Sequence, residues 1–497
     1  MSIDPASEVT TQATFELRRR PPAVVTEPRR FPSRSRPLSD ADDRSLSSVF
    51  RAYTATATLW LLFATGVGLL MAFKFGAPEF GPGAWLTFGR LRPIHTNATF
   101  YGFASIALVG LGYYIAARSS GVRLYSATLA WAGLVLFNLA ALLGTIALDV
   151  GYNDGDLEYR EWPWWIRLIF LAALAVTAWN LIATVARRSN EDIYLSNWYI
   201  IGGTLWTCII AIVAVVPWYQ YGLGQVAVSG FYMHNAVGMW FTPLALGTIY
   251  YTLPKLLNRP IYSYALGIFA FWTNLVFYPI IGSHHFLFSP LPWWLQTVAI
   301  VFSVAMLVPV WGGSSNFLLT MRGRMGDMTH SYPLMFIFVA VMSYLIGSTQ
   351  GTVEAFRSLQ QVWHLTNFTV GHSHLTMYGI IAFAVWGGIY ALLPLATGRQ
   401  AGQLGMALHF WMALVGCFIY VTSLSIGGTI QGLDWVHGLP FIQSVVDMQS
   451  YYVWRGVGGS LMFLSHIVFG WNVWRMCYGP TSAVSPLESL PAEETAA

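Results

Sequence analysis

Val370-Gly371-His372-Ser373-His374 sets two imidazoles two residues apart inside a long apolar stretch. In an α-helix, residues i and i+2 lie about 200° apart around the axis, so each ring needs its own partner. Imidazole is costly to desolvate at membrane depth, and ionisable residues there usually carry function. Neutral imidazole suits copper, iron and zinc. A six-coordinate heme takes two axial ligands from opposite faces, whereas a heme with an open position takes one. One helix with ligands on both flanks could therefore serve two hemes side by side, provided other histidines complete the sites.

Four more are at hand. His95 opens an apolar run in Arg92-Pro93-Ile94-His95-Thr96-Asn97, His234 lies early in another, and His284-His285 closes a third. Pairing His95 with His374, and leaving His372 alone on the other flank, completes two heme sites. Adjacent residues on a helix diverge by about 100°, so His284 and His285 reach one ion only where the helix end distorts. With His234 they make a three-imidazole site that keeps a coordination position open.

The elements that must position these residues are membrane spans. The chain has 497 residues, 55% hydrophobic, 16% aromatic and only 10% charged, with a mean hydropathy of +0.53. A soluble domain carries roughly 25% charged residues. Apolar runs long enough to cross a bilayer occur near 52–75, 95–117, 124–148, 164–186, 197–219, 229–254, 262–287, 292–319, 331–350, 369–396, 404–430 and 452–476. The pattern predicts an all-α polytopic membrane protein of about twelve transmembrane helices. Its membrane domain runs over 49–478. A basic N-terminal arm at 1–48 is expected to be disordered and lacks the apolar core of a secretory signal; 479–497 form a short polar tail. No internal repeat stands out.

Basic residues fall in alternate loops (Arg118, Arg123, Arg187, Arg188, Lys255, Arg259, Arg322, Arg324, Arg399), and the other loops are richer in acid. That asymmetry puts both termini in the cytoplasm. The net charge of +4 is largely this asymmetry plus the arm, so no nucleic-acid partner is expected. Even-numbered spans then start outside, with His95, His234, His372 and His374 near their starts. The seventh ends outside, with His284-His285 near its end. All six histidines share one layer. The three cysteines form no C-x-x-C-H, so the chain carries no covalently attached c-type heme of the usual kind.

Together with Gly89-Arg90-Leu91-Arg92-Pro93, Arg259-Pro260-Ile261-Tyr262-Ser263-Tyr264, Tyr278 and Trp311-Gly312-Gly313, these residues resemble the heme–copper oxygen reductases, specifically subunit I of cbb3-type (C-family) cytochrome c oxidase. The resemblance spans about 50–478 and implies the heme–copper oxidase subunit I fold. It implies that His234, His284 and His285 ligate copper, that His372 is the axial ligand of a high-spin heme b, and that His95 and His374 ligate a low-spin heme b. Tyr278 takes the place of the family's redox-active tyrosine, cross-linked to the histidine that is His234 here. Arg90 and Arg92 can pair heme propionates, because guanidinium matches carboxylate geometry. Glu158 resembles the family's carboxylate at a calcium ion bridging the propionates, and His364 matches a histidine near them. The implied function is a terminal respiratory oxidase of the bacterial cytoplasmic (inner) membrane. It would reduce O2 to water with electrons from cytochrome c, delivered by cytochrome c-bearing partner subunits, and couple this to proton translocation. Tyr251, Ser263 and Asn274 suggest a proton path toward Tyr278. His330, His409, His437 and His466 read as loop, interfacial or packed residues.

One departure matters: Gln350 stands where the family usually has a glutamate, with Glu354 one helical turn later. The alternative of neighbouring chemistry is a nitric-oxide reductase with a non-heme metal, turning NO into N2O. That family places a glutamate one turn after the sixth-span histidine, where this chain has Gly238.

Overall fold

A capping box starts the first helix. The Asp42 N–H donates to Ser39 Oγ at 3.2 Å and the Ser39 N–H to Asp42 Oδ2 at 3.2 Å, and Asp40, Asp42 and Asp43 complement the positive end of the helix dipole. This cap moves the helix start to Asp40, inside the segment expected to be a disordered arm. The structure is a computed structural model that describes residues 39–81, 83–154, 158–215 and 221–481. Most of the expected arm (1–38) and tail (482–497) lies outside the described residues.

Twelve long helical rods follow among the described residues: α1 (Asp40–Lys74), α2 (Phe88–Ser120), α3 (Ala127–Asp149), α4 (Trp164–Ala186), α5 (Leu195–Val215), α6 (223–257), α7 (Tyr264–Phe286), α8 (Trp293–Met321), α9 (Tyr332–Glu354), α10 (Asn367–Thr397), α11 (Gln403–Val436) and α12 (Gln449–Tyr478). Ten are long and apolar enough to cross a membrane. The other two, α6 and α12, carry more polar residues, among them Ser229, His234 and Asn235 in α6 and Arg455, Ser465, His466 and Asn472 in α12. Consecutive helices pack against one another, α12 closes back on α1, and α2, α6 and α10 meet in the middle. A helix apolar all round belongs in a core. The most apolar stretch of α2 is 100% buried and that of α10 89%, against 33% for α1.

The fold repeats every four helices, a regularity that the sequence reading did not find. Asn180 of α4 accepts the Ser126 N–H at 3.0 Å and donates to the Ser126 carbonyl at 2.9 Å, while Thr184 Oγ1 accepts the Tyr125 N–H at 3.0 Å. Asn316 of α8 makes the same two bonds to Ser263 (2.9 and 2.8 Å), and Thr320 takes the Tyr262 N–H at 2.9 Å. In the third unit Asn472 of α12 donates to Tyr390 Oη at 2.9 Å. Tyr113 and Tyr250 stand correspondingly beside Asn180 and Asn316. Each of these tyrosines precedes by eight residues the left-handed residue ending its helix: Gly121, Asn258 and Gly398. The repeat is thus marked by a handful of side chains, which in the first two units satisfy orphan backbone groups at helix starts.

Asn316→Ala would strand the Ser263 N–H and carbonyl away from water. We expect a loss of about 1–3 kcal/mol, read as lower resistance to chemical unfolding in detergent; Thr297→Ala, whose hydroxyl bonds only its own helix carbonyl and Arg357, should be much milder.

Candidate metal centre

The three central helices depart from α-helical pitch next to their histidines. π-helical turns occupy Ala98–Ala104, Ala236–Phe241 and Leu375–Ala382, just after His95, His234 and His374. Such turns insert one residue into the coil and often mark functional sites. The end of α7 does the opposite. Tyr278–Phe286 is a 3₁₀ helix, in which residues three apart eclipse. Tyr278 and His284 are two such steps apart, so the tighter coil puts them on one face, where an α-helix would separate them. Adjacent residues of such a coil diverge by about 120°, yet the His284 and His285 rings lie with centroids 4.4 Å apart.

Two glycines bring α6 and α7 together. A Cβ on Gly230 would press on the Gly282 carbonyl and one on Gly282 would overlap the Gly230 backbone, so the chains touch backbone to backbone beside the site. There the ligating nitrogens of His234, His284 and His285 all lie within 4.8 Å of one another. The ring centroid of His234 is 4.7 Å from that of His284, 5.1 Å from that of His285 and 4.4 Å from that of Tyr278. A Cβ on Gly238 would overlap the Tyr278 ring. Tyr278 in this place and any side chain at 238 are mutually exclusive.

Hydrogen bonds fix which nitrogen of each imidazole stays available. Ser303 Oγ donates to the Ala299 carbonyl at 2.7 Å and so accepts the His284 Nδ1–H, also at 2.7 Å. Nδ1 of His95 faces the Ala64 carbonyl at 2.8 Å, and Nδ1 of His374 faces the Val370 carbonyl at 2.9 Å. Carbonyls only accept, so these Nδ1 atoms carry the protons and Nε2 keeps its lone pair. His234 is the exception: its Nδ1 is buried with no partner, a state that a metal ion relieves. Bulkier residues are excluded behind two more rings, since a Cβ on Gly68 would overlap His95 and one on Gly351 would come within 3.1 Å of His372. The residues fit imidazole-bound metals.

The rings of His95 and His374 face each other with centroids 6.4 Å apart and planes 13° apart. Two metal–nitrogen bonds of about 2 Å each, end to end between two half-rings, come to about that separation. His372 points the other way, its Nδ1 3.1 Å from Gln350 Oε1 and 3.4 Å from Glu354 Oε1. Both candidates raised by the departure at 350 therefore reach the same nitrogen.

Other expected residues divide. Arg92 forms an ion pair with Glu158, while Arg90 Nη1 donates to the Asp149 carbonyl at 2.7 Å. His364 bonds the His285 backbone. His330 and His437 are exposed, and His409 and His466 are fully buried. Of the expected proton path, Ser263 caps α7, Asn274 donates to Met239 Sδ at 3.6 Å, and Tyr251 lies beneath Lys255; the three do not meet. Three features went unnoticed in the sequence. Arg455 is buried, bonds Asn367 Oδ1 at 3.2 Å, and acts electrostatically on both His95 and His374; a lone arginine just inside an apolar span was its signal. Glu161 accepts from Asn97 Nδ2 at 2.9 Å, and burial pushes its carboxyl above the usual range. Tyr250 and Tyr344 both reach over Gly313, each hydroxyl 4.0 Å from where a Cβ on that glycine would stand.

Comparison with known proteins follows the same lines. Residues 48–461 match the family described as cytochrome c and quinol oxidase polypeptide I. The cbb3-type cytochrome c oxidase subunit CcoN1 of Stutzerimonas stutzeri is 31% identical over 446 residues, covering 86% of this chain and 94% of that protein. Cytochrome c oxidase subunit 1 of Rhodobacter capsulatus is 29% identical over 477 residues, 91% of this chain and 89% of its own length. A solved chain from a heme-copper terminal oxidase dimer superposes with a TM-score of 0.75 at 17% identity, covering 91% of this chain and 86% of that one, which shows a common fold.

Gly238→Ala should displace Tyr278 by overpacking, at a cost of about 1–3 kcal/mol. The expected result is at least a tenfold loss of turnover with heme content retained, measured as oxygen uptake per heme.

Proposed function

Because the chain belongs to the cytochrome c and quinol oxidase polypeptide I family and is a catalytic subunit of a cbb3-type cytochrome c oxidase, we propose a division of labour among its residues. The overall reaction is O2 + 4 e⁻ + 4 H⁺ → 2 H2O. The family implies hemes and copper; when bound, they relay electrons and bind and reduce oxygen. In this reading His95 and His374 hold a low-spin heme b, His372 holds a high-spin heme b, and His234, His284 and His285 hold copper. Arg455, which acts on both His95 and His374, is the propionate partner best supported by position. Arg90 spends a donor on a carbonyl, and Arg92 and Glu158 spend their charges on each other, which weakens the case for all three, calcium at Glu158 included.

The observation that carries this reading is the trio of imidazoles beside Tyr278, with an unpartnered Nδ1 on His234. Tyr278 Oη holds a proton next to the reacting site. Tyr344 and Tyr250 support a route for replacing it from the inner ends of α6 and α9, in place of the path through Tyr251, Ser263 and Asn274; proton translocation would draw on such a route. A nitric-oxide reductase would need a carboxylate at 238, where the Tyr278 ring leaves no room. The chain is a multi-pass membrane protein. We place it in the bacterial inner membrane with both termini cytoplasmic, fed by cytochrome c through cytochrome c-bearing subunits.

Two measurements test this. The purified complex should contain copper, two hemes b per copy of this chain, and consume O2 in preference to NO; stoichiometric non-heme iron without copper, with NO alone consumed, would refute it. A hydrogen-bond acceptor on Nδ1 makes an imidazole a stronger ligand. Glu354→Ala, which removes one of the two acceptors near that nitrogen, should therefore lower the iron–histidine stretching frequency of the reduced high-spin heme in resonance Raman spectra and raise its midpoint potential. Unchanged values at full heme content would assign that nitrogen to Gln350 alone.

A further inference from the structure

Two histidines, His409 and His466, are fully buried at membrane depth yet belong to no metal site. His409 uses one nitrogen, Nδ1, which meets Tyr390 Oη at 2.9 Å, and leaves Nε2 without a partner. His466 uses both. The Thr65 hydroxyl donates to the Leu61 carbonyl at 2.6 Å, so its oxygen accepts the His466 Nδ1–H at 3.0 Å. Nε2 is then the acceptor for the Tyr378 hydroxyl at 3.1 Å. Ser465, whose hydroxyl donates to the Met462 carbonyl at 2.6 Å, offers Tyr378 only a longer acceptor at 3.4 Å. One neutral tautomer satisfies every group in the chain of bonds.

Both arms of this imidazole end next to the low-spin pair. Thr65 follows Ala64, whose carbonyl holds Nδ1 of His95. Tyr378 stands one helical turn beyond His374 on α10. His95 therefore takes its orientation from α1 and His374 takes its orientation from α10. His466, on α12, is hydrogen-bonded to both helices. We propose that His466 is a positioning residue that fixes α1 against α10 and thereby sets the relative rotation of the His95 and His374 rings. The proposal rests on the reading of those two as axial ligands of one heme. Groups holding a ligand imidazole by its second nitrogen govern its orientation; His466 acts one bond farther out, by holding the helices that supply those groups.

Electron paramagnetic resonance of the oxidised low-spin heme reads this rotation directly. Nearly parallel imidazoles give a rhombic signal, and twisting them apart moves the largest g value upward. The holo-complex should show the rhombic signal. Tyr378→Phe, which deletes one hydroxyl, and His466→Ala should both move the largest g value upward and broaden the line, with heme content unchanged. His466→Gln, which offers a donor and an acceptor, should move it back toward the parent value. Parent g values in both Tyr378→Phe and His466→Ala would overturn the proposal. Should His466→Ala fail to assemble, Tyr378→Phe alone decides, because it leaves the imidazole and the packing in place. A parent complex lacking any bis-imidazole signal is a distinct result, and removes the axial-ligand reading itself.

Discussion

An imidazole at membrane depth has no water to complete its hydrogen bonds, so each of its nitrogens must find a partner in protein or metal. The arrangement around the site follows from that constraint. Carbonyls at Ala64 and Val370, the Ser303 hydroxyl and the Gln350 amide each face one nitrogen of a ring. A carbonyl can only accept, which decides the tautomer and leaves the opposite lone pair directed into the site. Two buried nitrogens, His234 Nδ1 and His409 Nε2, are left without a protein partner, and only the first has two further imidazoles beside it, which is why the proposed ion is assigned there. The same rule accounts for His466, whose two nitrogens are satisfied by side chains and which is therefore no ligand.

Helical pitch does the rest of the positioning. A sequence spacing of six residues between Tyr278 and His284 is wrong for a shared α-helical face and right for a 3₁₀ one. The widened turns in α2, α6 and α10 sit beside histidines on the three helices that meet in the middle of the fold. Glycines at 230, 238 and 282 then set how closely these elements approach. Local geometry of this kind has a cost in helix stability, which burial of the central helices offsets.

Much of the site was legible because its chemistry is rare in its surroundings: histidines stand out in a chain that is 55% hydrophobic, and charge in the short loops ordered them into one layer. The twelve spans followed from composition for the same reason. Residues whose role depends on distant partners were not legible. Glu161 and Glu158 look alike in sequence, yet one accepts a hydrogen bond from Asn97 and the other pairs with Arg92. Tyr344 and Tyr250 come from helices far apart in the chain, and neither spacing nor composition brings them together. The fourfold spacing of helices escaped notice because its surviving markers, Asn180, Asn316 and Asn472, are single residues in otherwise interchangeable apolar sequence.

Helix α1 belongs to the outer ring, and only 33% of its most apolar stretch is covered by protein. Its Ala64 carbonyl nevertheless orients His95, and its Gly68 gives that ring its room. The proposed low-spin heme site thus has one wall supplied by a helix of the outer ring. Whatever lies against the outer face of α1, lipid or partner subunit, therefore touches the helix that orients His95.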